Sequence, residues 1–206
     1  MTSIAVKNPT EPLEPAWDIA KLFPPQGTWT EGDYLAINAN RIVEFSEGTI
    51  EVLDIPTTAH QMIVAFLYGA LLSFVSPGQL GRVLFAPLRV KLWAGKFREP
   101  DVVFMLRENS SRIGNEFWDG ADLVMEVVSD DDRRRDLEIK REEYAKAGMA
   151  EYWIVDPQLE RVTVLVLDGA SYRPHGEFAR GQIASSRLLG GFAVDVNAAF
   201  DSAKFS

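Results

Sequence analysis

The chain has 206 residues, of which 47% are hydrophobic and 25% are charged, a composition that fits one folded domain with a sizeable core. It has no cysteine and only 2 histidines, which excludes disulfides, thiolate zinc sites and histidine-rich metal clusters. The formal net charge of −9 opposes non-specific coating of nucleic acid, although a local basic groove is still compatible with it.

The N-terminal region differs in composition from the rest of the chain. Residues 1–28 carry several prolines and few periodic apolar positions, which predicts an extended or disordered arm. One domain then occupies residues 29–206, where apolar and polar positions follow patterns typical of helices and strands.

The first part of this domain predicts a short helix, a hairpin and a long helix. Thr30 and Asp33 have the spacing of a capping box, and "RIVEFSEGTIEVL" has strand-like residues on both sides of a Glu-Gly turn. The apolar stretch Met62–Val75 is too short to span a bilayer and follows no basic segment. We therefore expect a core helix of a cytoplasmic protein with no membrane contact, capped by Thr57 or Thr58.

Two apolar stretches in the centre of the chain each contain one acid. "REPDVVFM" predicts a strand that opens at Asp101, and "DLVMEVVS" predicts a buried strand with Glu126 in its middle, on the same face as Val124 and Val128. An acid at the start of a strand is common, whereas one inside "LVMEVV" is hard to explain unless its face is solvated. Two acids on neighbouring buried strands indicate an oxygen-ligand metal site, which favours Mg²⁺ or Mn²⁺.

A helix predicted from about Asp132 to Ala147 carries a lysine on its packing face. At about 100° per residue, Lys140 lies in line with Leu137 and Tyr144, while Lys146 lies on the opposite, solvated side. An ammonium on a packing face must reach solvent or pair with acids, because an unpaired buried charge is very costly.

The sequence leaves two sets of partners open for this lysine. Glu126 and Asp101 can face Lys140 if their strands are neighbours, or Asp136 can form an ordinary i,i+4 ion pair with it. Because a buried ammonium carries a cost, we expect the substitution Lys140→Met to leave thermal stability unchanged or slightly raised in the absence of metal.

The remaining chain predicts a strand at Glu151–Val155, a hairpin partner at Arg161–Leu167, an irregular region and a short helix near Val196–Phe200. Asp130–Asp132 are interpreted as a helix-capping cluster. Strands and helices alternate around one mixed sheet, so the fold class is α/β or α+β.

One long motif resembles a known family. "DLVMEVVS" followed by "RRRDLEIKREEYAKAGMAEYWIVDP" is similar to the PD-(D/E)XK nuclease superfamily and, within it, to the Uma-two family of restriction-endonuclease-like proteins, formerly a domain of unknown function. The resemblance covers nearly everything after the proline-rich arm. It implies a restriction-endonuclease-like mixed β-sheet flanked by helices.

The resemblance also implies site residues. Asp101 and Glu126 would be catalytic metal ligands for Mg²⁺ or Mn²⁺, with Val127 included in the metal-binding set. Nucleases of this kind normally carry a lysine two residues after the second acid, where this chain has Val128. Lys140 would be that lysine, relocated onto the helix.

Three further residues match the family's pattern. Glu44, in "RIVEFSEG", would be an accessory catalytic acid, and His60 with Gln61 would form an accessory pair at the start of the long helix. From the residues alone, His60 is more simply a polar residue at a helix start.

The resemblance implies a metal-dependent endonuclease with DNA as substrate, acting as a homodimer. The alternative is a non-catalytic dimeric interaction module that keeps the nuclease fold, which the acidic net charge favours slightly. A basic groove near the acids would be built from Arg82, Arg89, Lys91, Lys96, Arg98 and Arg133–Arg135.

Overall fold

The structure, a computed structural model, describes residues 22–38, 41–129 and 133–204. Most of the predicted arm and the predicted capping cluster Asp130–Asp132 lie outside the described residues. The described end of the arm runs beside the first hairpin, where the Gln26 side chain donates to the carbonyl and accepts from the N–H of Ile50, both at 2.9 Å.

Helices and strands alternate along the described chain. The helices are α1 (Glu31–Leu35), α2 (Thr58–Val75), α3 (Lys140–Lys146) and α4 (Val196–Asp201), with a 3₁₀ helix at Arg107–Arg112 and a π-helical turn at Arg135–Ile139. The strands are β1 (Val43–Ser46), β2 (Thr49–Val52), β3 (Gly81–Phe85), β4 (Val90–Trp93), β5 (Lys96–Arg98), β6 (Val102–Leu106), β7 (Trp118–Asp119), β8 (Leu123–Val127), β9 (Glu151–Asp156), β10 (Arg161–Asp168), β11 (Ser171–Ala179), β12 (Ile183–Ser185) and β13 (Ala193–Asp195).

Local sequence accounts for the ends of the early elements. Thr30 and Asp33 form the predicted capping box of α1, each side chain accepting from the backbone N–H of the other. The β1–β2 turn has positive φ at both Glu47 and Gly48, 47° and 81°, as a tight hairpin turn requires. Thr57 caps α2, as predicted, by accepting from the N–H of His60.

A six-stranded mixed sheet forms the centre of the molecule, in the order β11-β10-β9-β8-β6-β3. The two acid-bearing stretches are neighbours, because β6 pairs antiparallel with β8 and Val102 lies opposite Met125. Only β8 and β9 are parallel within this sheet, and the π-helical turn and α3 form the crossover between them. The predicted fold class, a mixed sheet flanked by helices, is confirmed.

The structure corrects the single-sheet prediction in two places. A five-stranded sheet, β2-β1-β5-β4-β7, and a two-stranded sheet, β12-β13, accompany the central one. The region predicted as irregular contains β11, which pairs with β10 across a bulge near Pro174 and Gly176. These residues hide the strand pattern, and the edge position of β11 tolerates them because one side of an edge strand needs no ladder partner.

The central sheet separates two hydrophobic cores. Leu123, Met125 and Val127 face the core beneath α2, while Val124 and Val128 face the core beneath α3. Glu126 lies between Val124 and Val128 along β8, so the alternation of the strand directs an acid into the α3 side of the sheet.

The helix α2 is the predicted core helix. It has 18 residues, because it begins at Thr58, before the apolar stretch, and among the described residues it is the one helix whose length and apolar composition would suffice to cross a membrane. This corrects the prediction that the stretch is too short. Its buried face, however, packs against the central sheet through Ile63, Val64, Leu67, Leu71 and Val75.

Candidate active site

The start of β6 holds Asp101 beside the end of β8. Asp101 Oδ2 accepts a hydrogen bond of 2.8 Å from the backbone N–H of Val127, the residue that follows Glu126. This bond is available because β6 and β8 pair in a register that brings Val102 opposite Met125. The structure therefore brings Asp101, Glu126 and the backbone of Val127 together.

Lys140 reaches back from α3 to the acid in β8. Its Nζ lies 2.9 Å from Glu126 Oε2 and also 2.9 Å from Asp136 Oδ1, and all three side chains are buried. Lys140 therefore pairs with one acid from each of the two sets left open by the sequence, Glu126 on the strand and Asp136 at i,i+4.

A π-helical turn supplies one of these partners. Asp136 lies in the turn Arg135–Ile139, directly before α3, and its backbone carbonyl accepts a hydrogen bond of 2.8 Å from the Tyr152 hydroxyl on β9. π-helical turns are rare and occur frequently at functional sites. Here the turn holds the side chains of Asp136 and Lys140 in contact over the sheet.

Tyrosine hydroxyls were missed as site groups by sequence reasoning. Tyr144 and Tyr152 belong to the core, as their apolar pattern predicts, but Tyr144 also donates to Glu126 Oε1. A buried tyrosine usually finds a partner for its hydroxyl, and that tendency is the only sequence signal for this contact.

Burial and neighbouring charge shift the protonation of the central pair. Burial raises the pKa of Glu126 to about 8, with Asp101 and Asp136 adding to the rise and Lys140 opposing it. Burial alone would lower the pKa of Lys140, but Glu126 and Asp136 outweigh it and raise that pKa. Lys140 therefore keeps its positive charge, and Glu126 and Asp136 share this one ammonium group.

His60 lies against the other acid. Its Nε2 is 3.1 Å from Asp101 Oδ1, and both side chains are mostly buried. Burial would lower the pKa of His60, but the hydrogen bond and charge of Asp101 raise it overall. Gln61, its predicted companion, is exposed on α2 and does not line the cleft described below.

Glu44 lies behind the site in a network with arginines. Its buried carboxylate accepts from the guanidinium groups of Arg98 and Arg135 and, at 3.1 Å, from the N–H of Glu99. Burial would raise the pKa of Glu44, but Arg98 and other cations lower it to about 2. Glu44 does not line the cleft and connects β1 to the π-helical turn.

The basic residues expected to form an open groove are largely paired with acids. Arg89 donates instead to the backbone carbonyls of Leu35 and Ile37. The pairs are Lys91 with Glu31, Lys96 and Arg98 with Glu143, Arg133 with Asp156, and Arg135 with Glu44 and Glu51. These paired residues therefore do not form the local basic groove that the net charge left open, because the acids that neutralise them come from distant parts of the chain.

A cleft of about 760 Å³ opens over Asp101, Glu126 and Lys140. Its floor includes Val127, Val128 and Asp136, so the position usually held by the nuclease lysine is apolar. Its walls come from the segment after β2, the start of α2 and the C-terminal helix, with His60 and Glu99 also lining it.

The carboxylates at the floor fit a hard divalent cation. Within the described ranges no group of three or more His, Cys, Asp or Glu side chains is arranged to hold a metal. Mg²⁺, however, is usually bound through one or two carboxylates with several waters. Each oxygen of Asp101 and Glu126 has one protein donor and keeps a second lone pair. Asp101, Glu126 and Asp136 outnumber the single ammonium group of Lys140, and this excess of acids also favours the binding of a cation.

Comparison with known proteins agrees with the sequence motif. The crystal structure of "a putative nuclease belonging to DUF820 from Anabaena variabilis ATCC 29413" has a TM-score of 0.68 and 18% identity, covering 85% of this chain and 99% of that chain. At this identity the likeness shows the fold. No curated protein matches the chain. A model of the Uma2 family, described as "Putative restriction endonuclease", matches residues 30–197. The chain therefore belongs to the Uma2 family, as its motif predicted.

Proposed function

We propose that this protein is a divalent-metal-dependent endonuclease that hydrolyses phosphodiester bonds of DNA. The family and the fold support a nuclease. The observation that carries the proposal is the contact of Lys140 with Glu126 at 2.9 Å, beside Asp101, on the floor of one cleft. A buried lysine held by acids next to a second carboxylate is the set that metal-assisted phosphate hydrolysis needs.

Asp101 and Glu126 would hold the cation, with the backbone of Val127 fixing the orientation of Asp101. When bound, Mg²⁺ or Mn²⁺ would polarise the phosphate and acidify an attacking water. Lys140, oriented by Asp136 as well as Glu126, stabilises the negative charge that develops on the phosphate.

His60 and Tyr144 support the two acids. His60 contacts Asp101 Oδ1 and restrains that carboxylate, and Tyr144 does the same for Glu126 Oε1. Restraint of this kind keeps ligand geometry fixed and is a common feature of metal sites. Glu44 supports the site indirectly. It binds Arg135, which lies in the same π-helical turn as Asp136.

The test combines cleavage with metal binding. Supercoiled plasmid should be nicked in Mg²⁺ or Mn²⁺ and left intact in EDTA. Isothermal titration should show Mn²⁺ binding that Glu126→Gln weakens by about tenfold or more, since loss of a ligand charge weakens a hard-cation site. Glu138→Gln is the matched control, because Glu138 is exposed and its ion pair with the exposed Arg134 lies at the surface.

Two outcomes would contradict the proposal. Unchanged Mn²⁺ binding in Glu126→Gln would place the metal elsewhere. Absence of nicking by a protein that is folded and loaded with metal would favour the non-catalytic interaction module.

A homodimer and a cytoplasmic location are part of the same proposal, and light scattering on purified protein tests the first.

A further inference from the structure

The reacting groups lie deep below the surface. The side chains of Glu126 and Lys140 are 3% and 6% exposed, and that of Asp101 is 14% exposed. A phosphate can reach them only by entering the cleft. Duplex DNA is stiff, with a persistence length of about 50 nm, so bending its backbone into the cleft costs deformation energy that a flexible single strand does not require.

The charge of the cleft also opposes a duplex. Glu51, Asp54 and Glu160 line it in addition to Asp101, Glu126 and Asp136, and although Glu51 pairs with Arg135 and Glu160 with Arg180, the acids among its lining residues outnumber the cations. Duplex DNA carries one negative charge per about 1.7 Å of axis, twice the density of a single strand, and therefore meets stronger repulsion there.

Most of the cations that could offset this repulsion are buried in ion pairs with acids. The basic residues that line the cleft in the described part of the chain are Arg135, Lys140 and Lys204. Arg135 pairs with Glu44 and Glu51, and Lys140 pairs with Glu126 and Asp136. Lys204 is 66% exposed and pairs with Asp201 at 2.7 Å on the surface, so of these three cations it alone stays open to a phosphate. Tight phosphate binding along a duplex requires several cations that are open to the backbone.

The wall of the cleft is instead apolar. The end of β2 contributes Val52 and the segment after it contributes Leu53, Ile55 and Pro56, and both Val52 and Ile55 are exposed. An unpaired base can pack its flat face against such aliphatic side chains, and this apolar contact does not distinguish one base from another. In a continuous duplex the base faces are stacked on each other and are not available to this wall.

We propose that the cleft accepts an unpaired nucleic-acid strand, such as a single strand or a flap, and excludes continuous duplex. This inference rests on the proposed function, because it names the substrate class of the same site. A flexible strand can lower its phosphate to the floor and place a base on the apolar wall. A plasmid would be nicked where supercoiling opens its strands.

The first experiment compares three substrates that share one 5′-fluorescein-labelled 30-mer. The substrates are the free strand, its blunt duplex, and a duplex carrying a 3′ single-stranded flap, each incubated with the full chain and Mn²⁺. We expect the strand to be cut at least about tenfold faster than the duplex, because extracting a paired nucleotide has an energetic cost. In the flap substrate the cuts should fall in the unpaired part. Equal or faster cutting of the blunt duplex would overturn the inference.

The second experiment changes the wall. Ile55→Asp removes an apolar contact and adds an acid at a side chain that is 72% exposed, so folding should be preserved. We expect KM for the strand to rise about tenfold, the scale of one lost base contact. Ile183→Asp is the matched control, since Ile183 is 54% exposed and does not line the cleft, and its KM should not change. An unchanged KM in Ile55→Asp would contradict the role of the wall.

Failure of the proposed function can be told apart from failure of this inference. If none of the substrates is cut, fluorescence anisotropy with the labelled strand and duplex in Mn²⁺ decides the preference. Binding of the strand at least about tenfold tighter supports the inference without nuclease activity. Equal or tighter binding of the duplex, or binding of neither, overturns it.

Discussion

At the scale of single residues, the ion pairs of Lys140 determine how its substitution changes the stability of the protein. A lysine with Glu126 and Asp136 each at 2.9 Å is a paired charge. Removal of one member of a buried ion pair leaves the other uncompensated, which commonly costs about 3–5 kcal/mol. This pairing reverses the expectation drawn from the sequence that Lys140→Met would be neutral or stabilising.

We therefore predict that Lys140→Met abolishes metal-dependent nicking and lowers the free energy of unfolding at pH 7. The loss should fall below about 3 kcal/mol, because burial and the neighbouring acids raise the pKa of Glu126 to about 8 even beside Lys140, and without that cation the acid stays neutral at pH 7. Urea unfolding and plasmid nicking measure the two effects.

Lys146→Met is the control for this substitution. Lys146 is exposed and lies over the ring of Trp93 at 4.1 Å, so its loss should cost at most about 1 kcal/mol and leave nicking intact. If both variants cut plasmid like the wild type, Lys140 is a structural partner of the acids and the proposed mechanism fails.

At the scale of elements, β9 is anchored by a buried acid at its first residue. Both oxygens of Glu151 accept hydrogen bonds of 2.7–2.8 Å, from the Trp153 indole, the Ser186 hydroxyl and the backbone N–H groups of Arg187 and Leu188. The segment after β12 is thereby tied to the strand that lies parallel to β8.

We predict that Glu151→Gln lowers the free energy of unfolding by about 2–4 kcal/mol, because the amide group must face donors that the carboxylate oxygen had satisfied. Urea unfolding followed by tryptophan fluorescence would detect this loss. Glu177→Gln should change stability by less than about 0.5 kcal/mol, because Glu177 pairs with Arg161 at the exposed surface. A Glu151 variant as stable as the Glu177 variant would show that the anchor contributes little.

At the scale of the whole molecule, a buried ion network holds the five-stranded sheet against the π-helical turn and α3. Glu44 in β1 contacts Arg98 in β5 and Arg135 in the turn, and Glu143 in α3 pairs with Arg98 at 2.7 Å. Charged groups thus form much of the interface between the two layers, so the stability of the assembled molecule should depend on pH.

The direction of this pH dependence follows from the pKa of Glu44. Its pKa in the folded protein is about 2, below the usual value of about 4.3, so the unfolded chain binds more protons in this range. The contribution of Glu44 is therefore complete above about pH 4.3 and is lost as pH falls toward 2, on the order of 3 kcal/mol in total.

We predict that the free energy of unfolding falls between about pH 4.3 and 2, and that Glu44→Gln flattens this dependence while lowering stability at pH 7. Urea unfolding at a series of pH values measures both. Glu138→Gln, at an exposed position, should keep the wild-type dependence. If the free energy of unfolding of Glu44→Gln falls as steeply at low pH as that of the wild type, other carboxylates cause the pH dependence.

The sequence by itself determined the features that depend on neighbours along the chain. Alternation in "LVMEVV" placed Glu126 in a buried strand, helical periodicity placed Lys140 on the packing face, and capping residues set the starts of α1 and α2. The motif that joins Glu126 to Lys140 also identified the family, because its spacing lies within one continuous stretch.

Only the tertiary structure decided the partners that come from distant parts of the chain. Arg98 and Arg135 lie 54 and 91 residues from Glu44, and His60 lies 41 residues from Asp101. The strand β11 likewise exists because β10 pairs with it, against a weak pattern of its own. Local periodicity gives the direction of a side chain, but which charge it meets depends on sheet register and layer packing, and these form between segments far apart in sequence.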